Sequence, residues 1–316
     1  MGGDYIKMYK LQPAYKDYVW GGNKLKEMYG LQNGERLAES WALSVHPDGS
    51  SMYLASFADY VKDNPKSVDK HGSTFPVLIK YIDAKQNLSV QVHPNDEYAH
   101  RVEGDNGKTE MWYIIQADDG AGIYCGFKRD TAKEEFQQKL REGTVEELLN
   151  FIPVQAGDCY LIPAGTVHAI CAGCVICEVQ QSSNVTYRVY DYDRKGADGK
   201  PRPLHIEKAL EVIDFHKFED KTNGGDYKEI QGNKLRLLTA CKYFRCRELI
   251  LNGAYEEVNA ESFTAINIID GEGTANGQPF RAGDSFFVPC GESFVLGGEA
   301  KIILTAENNE WNIMQG

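Results

Sequence analysis

The chain has 316 residues, of which 42% are hydrophobic and 25% charged, and its formal net charge is −12. That balance describes a folded globular protein with material for one large or two medium cores, not a disordered chain, and the acidic surplus argues against a nucleic-acid partner, which needs clustered positive charge. No apolar run approaches the roughly 20 residues of a membrane span and the N-terminus lacks the apolar core of a signal peptide, so a cytoplasmic protein without a membrane partner is expected.

Thirty-one glycines, eighteen tyrosines and short Val/Ile/Tyr/Phe runs broken by Gly, Pro, Asn and Asp favour a mainly β architecture. Trp20-Gly21-Gly22 reads as a turn, and residues 39–44 as a strand closed by a Pro-Asp-Gly turn that leaves His46 solvated. Residues 55–70 look loosely helical, and residues 75–82 form a buried strand. It leads to Val90-Gln91-Val92-His93, a strand stopped by Pro94. Alternation puts Gln91 and His93 on one face while Val90 and Val92 pack, so an amide oxygen and an imidazole nitrogen stand side by side as potential metal ligands. Asn95-Asp96-Glu97 then caps a short helix carrying His100 and Arg101 on its surface.

Glu110 opens a strand over residues 110–115, with Lys108 two positions earlier on the same face. In residues 131–150, capping boxes at Thr131/Glu134 and Thr144/Glu147 predict two short helices joined at Gly143. Residues 157–168 read as a turn at Gly157, a strand, a Pro163-Ala164-Gly165 corner and a histidine, His168, aimed inward. Residues 156–170 align without gaps on residues 282–296, with His168 opposite Phe294. The chain therefore reads as two related β-barrels, of which only the first keeps a ligand: residues 1–214 with the helical insertion, a link over 215–234, and residues 235–316. Cys171, Cys174 and Cys177 have knuckle-like spacing, yet odd offsets in a strand alternate faces, so they are read as buried reduced thiols. Cys241 and Cys246 would complete a four-sulfur site only if the fold brought them close. Ile206, Ala209, Leu210 and Ile213 mark an amphipathic helix, and Asp270-Gly271-Glu272-Gly273 a turn.

The order Gly, five residues, Pro, one, Gly, two, His resembles the second motif of the cupin superfamily, with Ala172 where a closing Asn usually stands. Together with Gln91-Val92-His93-Pro94, Lys108-Thr109-Glu110-Met111, Arg188, Trp20-Gly21-Gly22 and Glu39-Ser40-Trp41, it makes nearly the whole chain similar to type I mannose-6-phosphate isomerases of the short bacterial form. The resemblance implies two cupin-type (jelly-roll) barrels and a zinc aldose-ketose isomerase acting on a hexose phosphate, interconverting mannose 6-phosphate and fructose 6-phosphate. It also implies one zinc per chain, held by Gln91, His93, Glu110 and His168. Longer members carry an Asp before the Asn that precedes their active-site arginine; Ser183 stands there, one residue out of step with Arg188, so that acid's role does not carry over.

The residues make chemical sense on their own. Two imidazoles, a carboxylate and an amide oxygen leave zinc an open position and suit Lewis-acid catalysis of a proton shift through an enediol. Arg188 would hold phosphate or an enediolate oxygen, and Lys108 and Lys80 would add local positive charge. A lysine desolvated beside zinc can become a base, so Lys108, Lys80 and a metal-bound water are all candidates. His93, Glu110 and His168 also satisfy the two-histidine, one-carboxylate set of an iron(II) dioxygenase, and a sugar-phosphate-binding cupin without activity is the non-enzymatic alternative.

Overall fold

Strands with alternating apolar residues pair into three principal sheets. The structure, a computed structural model, describes residues 7–30, 36–53, 55–196 and 199–308. The outermost parts of both expected units, residues 1–6 and 309–316, lie outside the described residues.

A five-stranded sheet holds Leu149–Pro153, Gly122–Phe127, His168–Ile170, Val90–Val92 and Tyr187–Tyr190 in that order. Facing it, a six-stranded sheet runs Cys159–Ile162, Glu110–Ala117, Cys174–Gln181, Val77–Asp83, Glu39–Leu43 and Ala14–Lys16. No strand pairing joins the two among the described residues, so this half is a sandwich of sheets, not a hydrogen-bonded cylinder. The C-terminal half is one eight-stranded sheet whose long strands Arg245–Val258, Thr264–Ala275 and Ser293–Ala306 pair side by side around their own apolar core, with Phe294 fully buried in it. The mainly β architecture with a small helical insertion is thus present.

The six-stranded sheet is covered on both faces. Along Cys174–Gln181, Cys174 and Ile176 point toward the five-stranded sheet, whereas Val175, Cys177 and Val179 join a core shared with the C-terminal sheet. Cys174 and Cys177 therefore lie on opposite faces, and all eight cysteines are free. Burial pushes the Cys171 thiol up to about 12 and Cys174 to about 11. In the shared core Phe57, Phe75 and Phe263 surround Phe287, with ring centroids 5.0, 5.9 and 5.8 Å away.

Several local expectations are corrected. Tyr9–Leu11 pairs with Ser285–Val288 in the C-terminal sheet, across the boundary expected between the two units, and Lys228–Ile230 of the expected link is an edge strand of that sheet. The insertion is one helix, Lys133–Glu142, ending at Gly143 with φ +69°, followed by the 3-10 turn Val145–Leu148. Neither capping box forms: the first helix begins after Ala132, and Thr131 Oγ1 donates to the Arg129 carbonyl instead. His46 is not solvated but packs edge-on against Trp41. Residues 270–273 continue a strand, because Gly271 lets the Glu299 carbonyl come within 2.2 Å of where a Cβ would stand; the turn falls at Asn276-Gly277. By contrast Asn95 caps Asp96–Val102, accepting from Tyr98 N–H at 3.0 Å. No helix among the described residues is long and apolar enough to cross a membrane.

If Phe287 joins the halves, Phe287→Ala will cost about 3–5 kcal/mol of stability in urea unfolding; a loss below about 1 kcal/mol would show that this cluster does not hold them together.

Candidate metal centre and substrate cleft

Three hydrogen bonds donated by backbone N–H groups, two to carbonyls and one to a threonine hydroxyl, knit the segments that carry the site. Gly165 N–H donates to the His93 carbonyl (2.9 Å), Lys108 N–H to the Pro94 carbonyl (3.0 Å), and Ala164 N–H to Thr109 Oγ1 (3.3 Å). They bring the ends of four strands to the mouth between the five- and six-stranded sheets. Gln91 and His168 are direct cross-strand partners in one sheet, and Glu110 opens its strand in the other.

His93, Glu110 and His168 are fully buried, and their ligand atoms lie within 4.8 Å of one another. His93 Nδ1 bonds the Val185 carbonyl and His168 Nδ1 the Thr166 carbonyl, both at 2.8 Å. Carbonyls only accept, so each Nδ1 carries the proton and each Nε2 presents its lone pair to the site, the arrangement expected of metal-ligating histidines. Burial, reinforced by the Lys108 charge, pulls His168 down to about 3 and His93 well below the usual imidazole value. Both rings are neutral.

The lone pairs converge without enough protons to separate them. His168 Nε2 is 3.3 Å from Glu110 Oε1, and His93 Nε2 is 3.5 Å from Glu110 Oε2. Lys108 Nζ bonds Glu110 Oε2 and lies 3.0 Å from His93 Nε2, but Glu110 Oε1 is buried with no hydrogen-bond partner. A buried orphan acceptor facing another acceptor is costly, and a cation between them resolves it. Gln91 Nε2 lies 3.4 Å from His168 Nε2; half a turn of the amide presents its oxygen to the same place. The four residues fit a divalent cation. Among the described residues no other group of three His, Cys, Asp or Glu side chains does so.

The catalytic-domain model of type I phosphomannose isomerase matches residues 8–141. The mannose-6-phosphate isomerase ManA of Bacillus subtilis (strain 168) is 38% identical over 93% of this chain and 97% of its own. The mannose-6-phosphate isomerase of Streptococcus mutans is 36% identical over 94% and 98%. The chain belongs to the type I phosphomannose isomerase family. The crystal structure of a B. subtilis mannose 6-phosphate isomerase superposes with a TM-score of 0.88 at 32% identity, covering 94% of this chain and 99% of that one. A mannose 6-phosphate isomerase structure bound with zinc and yttrium, 18% identical over 95% and 99%, shares the fold with a TM-score of 0.76.

In this phosphomannose isomerase family member, a cleft of about 290 Å³ opens beside the donors, lined by Lys80, Ser89, Gln91, Lys108, Glu178 and Arg188. A larger hollow of about 410 Å³, at Asp130, Asp214 and Lys217, contains none of the donors. Arg188 is the cross-strand neighbour of Gln91; its guanidinium donates to Ser89 Oγ (3.3 Å) and the Pro203 carbonyl (3.0 Å), and it forms no ion pair among the described residues. Nearby Arg202, by contrast, is held twice by Asp191.

Lys80 lies 3.8 Å from Glu39, 3.4 Å from Glu178 and over the Trp41 ring. Burial would lower its pKa, but the Glu39 and Glu178 charges outweigh it and hold the amine well above its usual value. That shift favours the ammonium form of Lys80, a positive charge in the cleft wall. Burial raises Glu110 to about 7, with Glu178 adding to the effect and Lys108 opposing it. For Glu178 burial is outweighed by Lys108 and Lys80, which hold it below the usual carboxylate value.

Glu178 and Glu39 are the site residues that sequence reasoning missed. Glu178 accepts from Trp112 Nε1–H at 3.0 Å and leaves Oε1 without a hydrogen bond. Its signal was a lone carboxylate inside the apolar run of residues 175–179.

The repeat supplies a test of the donor set. His168→Phe, which installs the side chain found at the matching Phe294, is expected to keep the fold by circular dichroism while lowering bound metal in the purified protein at least ~10-fold. Stoichiometric metal in that variant would remove His168 from the donors.

Proposed function

We propose that the protein interconverts mannose 6-phosphate and fructose 6-phosphate, using zinc held by Gln91, His93, Glu110 and His168. The observation that carries this reading is the unpartnered Glu110 Oε1 facing His168 Nε2 beside a cleft lined by Gln91, Lys108 and Arg188, whose guanidinium forms no ion pair among the described residues. Family membership and the likeness to curated mannose-6-phosphate isomerases support it.

Aldose-ketose isomerisation moves a proton between C1 and C2 through an enediol. When bound, zinc supplies Lewis-acid polarisation of the sugar oxygens, and its mixed nitrogen and oxygen donors suit that metal. The chain's residues do the rest. Arg188 receives the phosphate as a planar two-pronged donor, and Lys80, kept protonated by Glu39 and Glu178, adds fixed positive charge to the same cleft. Lys108 Nζ, beside His93 Nε2 and Glu110 Oε2, is the proton-carrying atom closest to the donors and is assigned the transfer. Ile170, Ile82 and Leu88 close the apolar side of the cleft and limit water.

The same two histidines and carboxylate would suit an iron(II) dioxygenase. Gln91 beside His168 and the anion-seeking Arg188 favour the isomerase.

A coupled assay should show mannose 6-phosphate turnover that is lost after chelation and returns with zinc; turnover untouched by exhaustive chelation would remove the metal from the reaction. Lys108→Met should keep its zinc but lose at least ~100-fold in kcat, and a wild-type rate in that variant would end the assignment of proton transfer to Lys108.

A further inference from the structure

The segment that places Lys108 and Glu110 is gripped from outside the cleft. Thr109, between them, uses both backbone groups on one residue: its N–H donates to Gln181 Oε1 (2.9 Å) and its carbonyl accepts from Gln181 N–H (3.1 Å). Gly107, the residue before Lys108, donates its N–H to Asp96 Oδ1 at 3.0 Å. Gln181 Nε2 donates to that same oxygen at 2.8 Å, and the Tyr243 hydroxyl donates to Asp96 Oδ2 at 2.8 Å. One carboxylate thus accepts three hydrogen bonds. Burial would raise its pKa, but the bonds from Gln181, Tyr243 and Gly107 outweigh it and hold the group ionised. The approach is close enough that a Cβ on Gly107 would stand 2.4 Å from Asp96 N.

We infer that Asp96, Gln181 and Tyr243 form a positioning clamp through which the C-terminal half sets Lys108 and Glu110 against His93 and His168. Tyr243 lies in the loop between Asn233–Ala240 and Arg245–Val258 of the large sheet, so its hydroxyl carries the contact across the two halves. None of the three side chains lines the cleft, and none is a metal donor. They act through the backbone at residues 107 and 109, either side of Lys108. A second-layer hydrogen bond of this kind is worth roughly 10- to 100-fold in metal affinity or rate, since misplacing a reacting group by about 1 Å costs on the order of 100-fold. The clamp rests on the zinc isomerase reading for its kinetic consequence.

Tyr243→Phe, Asp96→Asn and the double variant, made in the full chain, test it by kinetics and by chelator competition for zinc. Tyr243→Phe removes one hydroxyl and should lower kcat about 3- to 10-fold with KM within about twofold, while Asp96→Asn should lower it about 10- to 100-fold. Zinc affinity should fall in both, and the double variant should lose no more than Asp96→Asn alone, because both changes break one connection. Wild-type kcat and zinc affinity in Asp96→Asn, losses that simply add, or losses that follow only the folded fraction at the assay temperature overturn the clamp. A wild-type chain without mannose 6-phosphate turnover fails the isomerase reading alone; the shift in zinc affinity then decides the clamp by itself.

Discussion

Five buried ionisable side chains share one small volume between two sheets, and the rest of the structure answers to that constraint. Glu39, Glu110, Glu178, Lys80 and Lys108 are each no more than 7% exposed. Removing such groups from water costs several kcal/mol apiece unless each finds compensation, so the site is expensive to fold and tolerates little slack. Compensation comes from the strands: Lys80 and Glu178 are cross-strand partners, Glu178 is paired on its other side with Trp112, whose indole N–H reaches its carboxylate, and Lys80 lies beside Trp41. The same alternation that builds an apolar sheet therefore spaces the charges.

That expense accounts for the form of the second half. The repeat places Phe294 where the first half has His168, and Phe294 is fully buried in an apolar core, with no group of three metal-donor side chains at that position among the described residues. Freed of chemistry, the C-terminal sheet packs against the outer face of the six-stranded sheet and shares one continuous core with it. The joint is also polar where it passes behind the site: Tyr113, on the opposite face from Glu110, donates to the buried Glu248 of the large sheet, which also accepts from Tyr227 and Arg236. A strand gripped on both faces cannot slide, and Glu110 is its first residue.

Much of this was legible in the sequence because it depends on local rules. Gln91 and His93 follow from strand alternation and the Pro94 stop, and His168 from the Gly, Pro and Gly spacing that its turn requires; the structure brings both histidines to Glu110 and sets Gln91 beside His168. What escaped depends on long-range pairing. Tyr9–Leu11 finds its partner at Ser285–Val288, at the far end of the chain, and nothing in a three-residue strand announces such a partner. Glu178 and Glu39 become site residues only because Cys174–Gln181 and Glu39–Leu43 pair on either side of Val77–Asp83 in one sheet, with registers that flank Lys80. The capping boxes had the right residues, but Thr131 N–H is taken by the Phe215 carbonyl, so tertiary pairing moved the helix start past the motif.

Charge arithmetic links the constraint to the substrate. Counted with every group ionised, three carboxylates against two ammonium groups would give the buried cluster one negative charge in excess, which by itself would repel a phosphate. A divalent cation on the donors reverses that sign to one positive charge, and Arg188 at the cleft wall adds another. A dianionic sugar phosphate then meets a matching field only when the metal is in place, inside an acidic protein that elsewhere disfavours anions. Metal and substrate binding on the proposed site would thereby be coupled electrostatically: each would lower the charging cost of the other in a low-dielectric pocket, and linkage requires such an effect to be mutual. The absence of an ion-pair partner for Arg188 among the described residues fits the same proposal, since a carboxylate there would cancel the charge that a bound phosphate would need.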